Sequence, residues 1–248
     1  MLHQPVIAQN YRETRDFACE SKFLLSAEQA DLIRAWARAN MGVDPHGNGE
    51  HGDLYQVSSI YFDTVNFDVF QRNGSYGRSK YRIRRYNAGD TVFLERKTKT
   101  DTQVSKRRTQ VHLSELSHLS LPPQATWSGY WFQRRLKVRS LQPVCQISYQ
   151  RVARLAQAEN GPCRLTLDNQ LSAQVSNLGG VQFATPPGTA LLPPERYILE
   201  LKYRYSLPVL FRRLLSEFAP LPQRVSKYRL AIDTLALTQP MAKRREVI

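Results

Sequence analysis

Alternation of polar and apolar residues predicts β-strands along much of the chain, most clearly over residues 80–86 and 91–97. An Asn-Ala-Gly-Asp turn separates these two segments, so together they are predicted to form a β-hairpin. Because side chains alternate between the two faces of a strand, Lys80, Arg82 and Arg84 share one face, opposite an apolar face. One such hairpin identifies no function, since the charged face of a sheet is ordinarily its wet face.

The same pattern returns in strand-like segments from residue 17 to residue 203. Seven of them place ionised or phosphate-binding residues two positions apart on one face: Glu20/Lys22, Arg82/Arg84, Glu95/Lys97, Lys106/Arg108, Tyr149/Arg151, Arg164/Thr166/Asp168 and Glu200/Lys202. The opposite faces are largely aliphatic or aromatic, apart from Arg85 and Arg96. Each of these strands is therefore predicted to pack one face against a core.

Helical periodicity supplies segments that can cover those apolar faces. Ser26 and Gln29 have the spacing of a capping box, and apolar residues then recur at helical spacing up to Met41. A second amphipathic helix is predicted to begin at Pro208, which suits a first helical turn. Shorter helices are predicted over 116–121 and 130–141.

Two architectures account for strands with one charged and one apolar face. One is a closed antiparallel barrel with a charged, water-filled interior and helices packed outside. The other is a flat sheet whose charged face is solvated, and the alternation is the same in both. No break in composition and no internal repeat divides the chain, so one α+β domain is predicted.

The net charge of the chain indicates what kind of molecule it binds. The 248 residues include 35 Lys and Arg against 21 Asp and Glu, a formal net charge of +14. Such an excess predicts an anionic partner: nucleic acid, a phosphorylated small molecule, polyphosphate or an anionic membrane surface. Nucleic acid is the least favoured, because the aromatic residues lie mostly on the apolar faces, not among the cations where bases would stack.

The remaining features predict a cytoplasmic protein. Cys19, Cys145 and Cys163 have no metal-ligand spacing, and each lies in an apolar run, which predicts buried, reduced thiols. The first residues lack the basic and apolar regions of a signal peptide. No segment approaches eighteen consecutive apolar residues, so no membrane-spanning segment is predicted.

Short motifs follow one another in a fixed order from residue 61 to residue 228. They are Tyr61-Phe-Asp63, Arg82-Ile-Arg84, Glu95-Arg-Lys97, Ser105-Lys-Arg107, Tyr149-Gln-Arg151, Arg164-Leu-Thr-Leu-Asp168, Leu199-Glu-Leu-Lys202 and Ser226-Lys-Tyr228. This ordered set resembles the VTC domain, the catalytic domain of the vacuolar transporter chaperone polyphosphate polymerase. That domain belongs to the triphosphate tunnel metalloenzyme (CYTH-like) superfamily.

The resemblance implies a closed antiparallel eight-stranded β-barrel, the triphosphate tunnel, with helices packed outside. It implies a tunnel domain over residues 17–237, between an N-terminal extension (1–16) and a basic C-terminal tail (238–248). The implied activity transfers the terminal phosphate of ATP to a growing polyphosphate chain, with Mn²⁺ or Mg²⁺ as cofactor. Two alternatives stay open: hydrolysis of tripolyphosphate or nucleoside triphosphate by the same fold, and a non-catalytic polyphosphate-binding module.

The resemblance also implies roles for individual residues. The implied catalytic cations are Lys22, Arg82, Arg84, Lys97, Lys106 and Lys227. The implied substrate-binding residues are Tyr149, Arg151, Arg164, Arg224 and Ser226. Glu200 is the implied metal ligand, although a carboxylate among cations could equally balance their charge. Where the family often has Lys-Phe-Ser-Lys, this chain has Arg-Val-Ser-Lys ending at Lys227, and arginine is a planar fork, not a point donor.

Overall fold

The structure is a computed structural model that describes residues 11–13, 19–47, 52–99, 104–176, 180–185 and 188–239. Its strands are β1 (Tyr11–Glu13), β2 (Cys19–Leu25), β3 (Gly42–Val43), β4 (Leu54–Asp63), β5 (Ser79–Tyr86), β6 (Thr91–Lys99), β7 (Val104–His112), β8 (Gln142–Ala158), β9 (Gly161–Val175), β10 (Thr189–Ala190) and β11 (Tyr197–Tyr203). Its α-helices are α1 (Ala27–Asn40), α2 (Asp68–Gln71), α3 (Tyr130–Val138), α4 (Val209–Phe218) and α5 (Lys227–Thr234).

All the long strands belong to one antiparallel sheet. Its hydrogen-bonded order is β1-β7-β6-β5-β4-β8-β9-β11-β2, with β3 paired to β8 and β10 paired to β9. The predicted hairpin is confirmed as β5 and β6, and its register places Arg82 directly opposite Glu95. The fold is therefore α+β, as predicted, with eight principal strands from β7 to β2.

The predicted closure of the barrel is wrong in this structure. Among the described residues the sheet begins at β1 and ends at β2, and no hydrogen-bonded pairing joins these two ends. Side chains bridge the gap instead: Lys97 Nζ on β6 lies 3.0 Å from Glu20 Oε2 on β2. Alternation predicts which side chains share a face, but it holds no information about whether two edge strands pair.

Helices cover the apolar faces of the sheet, as the alternation predicted. Helices α1 and α4 pack on β2, β9 and β11, where Leu165, Leu199 and Phe211 are fully or almost fully buried. Helix α3 packs on β4, β5 and β6, where its buried Phe132 contacts Phe62 and Tyr81. The charged side chains of these strands consequently project from the other face.

The observed helix boundaries agree with the sequence-based prediction at α1 and differ from it in two other helices. The capping box is confirmed, since Ser26 Oγ accepts from the backbone N–H of Gln29 and the Gln29 side chain accepts from that of Ser26. The helix predicted over 130–141 ends earlier, and Ser140 follows with a left-handed backbone (φ 50°). The helix predicted over 116–121 is a 3₁₀ helix, Leu113–Ser120.

The three thiols are free, but only two of them are buried. Cys145 and Cys163 are buried, whereas Cys19 is half-buried and its Sγ donates to the carbonyl oxygen of Tyr205 at 3.2 Å. The prediction of burial is therefore wrong for Cys19, because it begins a strand near the exposed 205–206 turn. No helix within the described ranges has the length and apolar character needed to cross a bilayer. Most of the predicted extension (1–16) and residues 240–248 of the tail lie outside the described residues.

Candidate active site

The register of the sheet aligns the polar residues in rows across neighbouring strands. Tyr61, Arg82, Glu95 and Arg108 stand directly opposite one another on β4, β5, β6 and β7. Two further rows cross β2, β11 and β9. One consists of Lys22, Glu200 and Thr166, and the other of Glu20, Lys202 and Arg164. We call the surface that carries these side chains the inner face; its ionised members are Glu20, Lys22, Lys80, Arg82, Arg84, Glu95, Lys97, Lys106, Arg108, Arg151, Arg164, Asp168, Glu200 and Lys202.

Contacts between strands that are not neighbours show that the inner face is concave. The ion pair between Lys97 and Glu20 spans from β6 to β2. Arg84 on β5 donates to the hydroxyl of Tyr149 on β8 at 3.2 Å, across the intervening β4. The start of α5 also reaches this surface, where Lys227 Nζ lies 4.9 Å from the centre of the Tyr149 ring. The curled sheet therefore gathers cations from most of its strands around one space.

Three lysines form one row at one end of the inner face. Lys97 stands directly opposite Lys80 on one side and Lys106 on the other. Like charges directly opposite each other destabilise a sheet. Burial lowers the pKa of Lys80 to about 8, and repulsion from Lys22 and Lys97 adds to this effect. Such a row is stable with the lysines charged only where anions lie close to it.

Glu95 is the acidic centre of the arginine-rich part of the inner face. It is 1% exposed, and its carboxylate contacts Arg82 Nε at 2.6 Å, Lys106 Nζ at 3.2 Å and Arg108 Nε at 3.4 Å. Burial alone would raise the pKa of Glu95, but these cations outweigh burial and hold it well below its usual range. One carboxylate therefore faces three cations, and the excess positive charge remains.

Asp168 forms a second acidic centre, between Arg151 and Lys227. Its carboxylate accepts from Arg151 Nε at 2.6 Å and from Nη2 at 2.7 Å, and it lies 2.7 Å from Lys227 Nζ. Burial opposes ionisation of Asp168, but Arg151 and Lys227 lower its pKa to about 2. This pair of contacts places the first residue of α5 over the sheet.

A β-bulge in β9 produces the alignment of Arg151 with Asp168. Ser148 stands opposite Ser172, but Gln150 stands opposite Asn169, so β9 contains one extra residue. Gln170, inside this interval, has a left-handed backbone (φ 49°). The extra residue reverses the alternation along β9 and brings Asp168 to the inner face opposite Arg151.

Arg84 is a buried cation whose contacts are with hydroxyl groups. It is 7% exposed, and it donates to Ser59 Oγ at 3.1 Å and to the Tyr149 hydroxyl at 3.2 Å. Within the described ranges, no carboxylate oxygen lies within ion-pair distance of Arg84. Buried charges in proteins are normally paired, so this guanidinium is suited to an anion that the chain itself does not supply.

Two carboxylates occupy the β2–β11 side of the inner face. Glu200 Oε1 lies 2.9 Å from Lys202 Nζ, and Glu20 contacts Lys22 Nζ at 2.8 Å and Lys97 Nζ at 3.0 Å. Burial would raise the pKa of Glu200, but Lys202 and Lys22 hold it well below its usual range, so the carboxylate is ionised.

These carboxylates suit a cation that is shared with phosphate. No group of three carboxylate, thiol or imidazole side chains converges in the part of the chain that the structure describes. Mg²⁺ and similar hard cations are commonly held by one or two carboxylates together with substrate phosphates and water. Glu200, with Glu20 near it, fits that pattern and does not form a cage of its own.

Most of the residues with implied roles come together on the inner face or against it. Those that do are Lys22, Arg82, Arg84, Lys97, Lys106, Tyr149, Arg151, Arg164, Glu200, Ser226 and Lys227. Ser226 Oγ accepts from Lys80 Nζ at 3.2 Å and also caps α5. Arg224 is the exception: it is exposed, and among the described residues it makes no ion pair with the others.

Several inner-face residues had no role implied by the resemblance. Lys80, Lys202 and Glu95 carried the same signal as the chosen residues, namely a position two residues from another charge on one strand face. Asp44 carried no such signal, because it lies in a loop. It is buried, and its carboxylate is 2.9 Å from Arg164 Nη2.

An aromatic cluster adjoins the inner face beyond Arg84. The ring of His46 stacks on Tyr86 with 4.0 Å between ring centres, and Phe93 packs against Tyr86 at 5.5 Å. His46 is thus a packed residue, with its ring against Tyr86. Arg108 lies over Phe93, with its guanidinium carbon 3.6 Å from the ring centre.

Comparison with known families agrees with this geometry. A model of the VTC domain matches residues 17–236. The chain belongs to the VTC domain family. Comparison of this VTC domain with curated protein sequences gives no match.

Solved structures with a fold similar to this VTC domain include two proteins described as candidate adenylyl cyclases. A candidate adenylate cyclase from Bacillus halodurans aligns over 86% of this chain and 97% of its own, with a TM-score of 0.53 and 19% identity. A candidate adenylyl cyclase from Hippeastrum, described as having a dominant triphosphatase activity, aligns over 87% and 95% respectively, with a TM-score of 0.50 and 15% identity. At these identities the similarity establishes the fold alone.

Proposed function

We propose that this VTC domain is a phosphotransferase that moves the terminal phosphate of ATP onto a polyphosphate chain bound along the inner face. Arg84 carries the proposal, because a buried guanidinium without a carboxylate partner in the described chain is costly unless an anion binds it. The lysine row supports the same ligand, because Glu20 and Glu95, which pair with Lys97 and Lys106, are each shared with other cations.

The inner-face cations have the properties that phosphoryl transfer needs. The reaction requires alignment of the attacking and leaving oxygens and neutralisation of charge on the transferring phosphoryl group, with little covalent chemistry by the protein. Arginine forks such as Arg82 and Arg84 bind phosphate oxygens in two places, and lysines supply point charges that follow the chain. Tyr149 accepts from Arg84 and keeps its own hydroxyl proton to donate to a phosphate oxygen.

We assign a divalent cation, Mn²⁺ or Mg²⁺, to Glu200, with Glu20 as the nearest second carboxylate. When bound, such a cation would stabilise the charge that develops on the phosphate oxygens. Lys22 and Lys202 hold Glu200 ionised, which is the state that a metal ligand requires. The chain's own contribution is to hold this carboxylate in place and ionised.

A second candidate function is hydrolysis of tripolyphosphate or nucleoside triphosphate. The relative from Hippeastrum, which shares the fold, is described as a triphosphatase. The same cations would bind the substrate, and water would replace polyphosphate as the acceptor. The two functions therefore differ in the acceptor and not in the binding of the triphosphate group.

Analysis of the products separates these functions. Purified protein is incubated with ATP and Mn²⁺, and ADP, orthophosphate and polyphosphate are quantified, with a chelator-treated sample as control. The proposal predicts ADP with a matching amount of phosphate in polyphosphate. Stoichiometric orthophosphate identifies the hydrolase, and binding of tripolyphosphate without turnover identifies a non-catalytic module.

A further inference from the structure

The residues at the start of α5 are each fixed to a different part of the fold. Ser226 accepts from Lys80 on β5, and Lys227 pairs with Asp168 on β9. Tyr228 donates its hydroxyl proton to Asp63 Oδ2 at the end of β4, and Arg229 Nη1 donates to the carbonyl oxygen of Phe70 at 2.6 Å. Lys227 lies against Tyr149 and Asp168 on the inner face, and the Tyr228 ring lies against Tyr61, beside Lys80, at another part of the same face.

Asp63 is built as a rigid acceptor for Tyr228. Its carboxylate is completely buried and accepts from the backbone N–H groups of Thr64, Val69 and Phe70 at 2.7, 2.8 and 2.9 Å. Three backbone donors fix the orientation of this group. The fourth contact, from Tyr228, therefore joins α5 to a carboxylate that cannot turn away.

Tyr228 retains its proton and has little freedom to move. Burial and the neighbouring Asp63 carboxylate raise its pKa, so the phenol stays neutral and remains a donor. Its side chain is 2% exposed, and its ring stacks on Tyr61 with 5.2 Å between ring centres. The first turn of α5 is thereby held at a second point, next to Lys227 in the chain.

We propose that Asp63 and Tyr228 are positioning residues that hold Lys227 at the inner face for contact with the phosphate chain. A lysine side chain has four rotatable bonds, so its charge contributes most to binding when its backbone is fixed. The hydrogen bond between Tyr228 and Asp63 supplies this fixed backbone, while Asp168 orients the ammonium group. The inference rests on the proposed binding of polyphosphate at the inner face.

The test is a double-mutant cycle with tripolyphosphate as the ligand. Tyr228→Phe removes one hydroxyl and keeps the ring, and Asp63 keeps its three backbone donors, so the variant folds. We expect it to weaken tripolyphosphate binding about fivefold, the factor typical of one hydrogen bond. In a Lys227→Gln background the same change should alter binding by less than about twofold, because the group being positioned is gone.

Tyr76→Phe is the matched control, since it removes a partly buried hydroxyl that donates to the carbonyl oxygen of Arg139 away from the inner face. It should leave the affinity unchanged. Equal fold-losses from Tyr228→Phe with and without Lys227, or no loss in either background, would overturn the inference. If the wild-type protein binds no tripolyphosphate, the proposed function fails instead. The same four proteins are then unfolded in urea. The inference requires that the loss of unfolding free energy caused by Tyr228→Phe depends on whether Lys227 is present.

Discussion

Removal of the Glu95 carboxylate should produce a defect that a polyanion repairs. Glu95→Gln keeps the size of the side chain and removes the one negative charge that faces Arg82, Lys106 and Arg108. In the free protein the three cations then repel one another without compensation. A bound phosphate chain would supply the missing negative charge at the same place.

The contacts set the size of both effects. Loss of one partner from a buried ion pair costs about 3–5 kcal/mol. The lower value applies here, because the side chains of Arg82, Lys106 and Arg108 retain 23%, 28% and 18% exposure and reach water. For a domain of this size about 3 kcal/mol lowers the melting temperature by about 6–12 °C. Two unit negative charges separated by about 8 Å repel each other by about 2 kcal/mol at an effective dielectric constant of 20, so removal of a carboxylate from beside the phosphate chain should tighten binding by about tenfold or more.

The assay is thermal unfolding with and without a fixed concentration of tripolyphosphate. Asp53→Asn is the matched control, because Asp53 is also a buried carboxylate between two arginines, Arg38 and Arg154, but it lies away from the inner face. Both variants should be destabilised. Tripolyphosphate should stabilise Glu95→Gln by about 2 kcal/mol more than the wild type and give Asp53→Asn no extra stability. Equal stabilisation of all three proteins would refute the reasoning.

Three further predictions concern titration and metal binding. Because the pKa of Lys80 is lowered to about 8, bound tripolyphosphate should cause this lysine to take up a proton at pH 8.5. Calorimetry in two buffers at that pH should detect the proton uptake, and Lys80→Arg should reduce it. Because its pKa is lowered to about 2, Asp168 should stabilise the fold above about pH 4 and lose this effect as the pH falls toward 2. The free energy of unfolding in urea should therefore change less between pH 5 and pH 3 in Asp168→Asn than in the wild type. An equal change in the two proteins would contradict this prediction. Glu200→Gln should lower metal-dependent turnover by about a hundredfold and preserve or tighten metal-free tripolyphosphate binding, whereas an active variant would exclude Glu200 as the ligand.

Much of the fold follows from the period of two along the strands. That period predicted which side of each strand carries the charges, and the register confirms it, for example in the row of Arg82 and Glu95. The capping box at Ser26 predicted the start of α1 for a local reason, since both of its hydrogen bonds join residues three positions apart. Signals of this kind need no knowledge of distant contacts.

Features that depend on distant contacts could not be read in the same way. The bulge at Gln170 aligns Asp168 with Arg151, yet glutamine has no special preference for the left-handed conformation. The open edge of the sheet depends on how two strands distant in the chain meet. Arg224 has the predicted charge and is exposed, and its role stays a prediction, whereas Lys80, to which the resemblance gave no role, lies on the inner face beside Ser226.

Two adjacent arginines on β5 allow a direct test of whether the inner face binds polyphosphate. Arg84 faces inward, whereas Arg85 faces outward and donates to the carbonyl oxygens of Ala88 and Gly89. Tripolyphosphate affinity is measured by calorimetry for Arg84→Ala and Arg85→Ala at the same ionic strength. The account predicts a loss of about tenfold or more for Arg84→Ala and almost none for Arg85→Ala, because only Arg84 would contact the phosphate chain. Similar losses in the two variants, or none in Arg84→Ala, would contradict it.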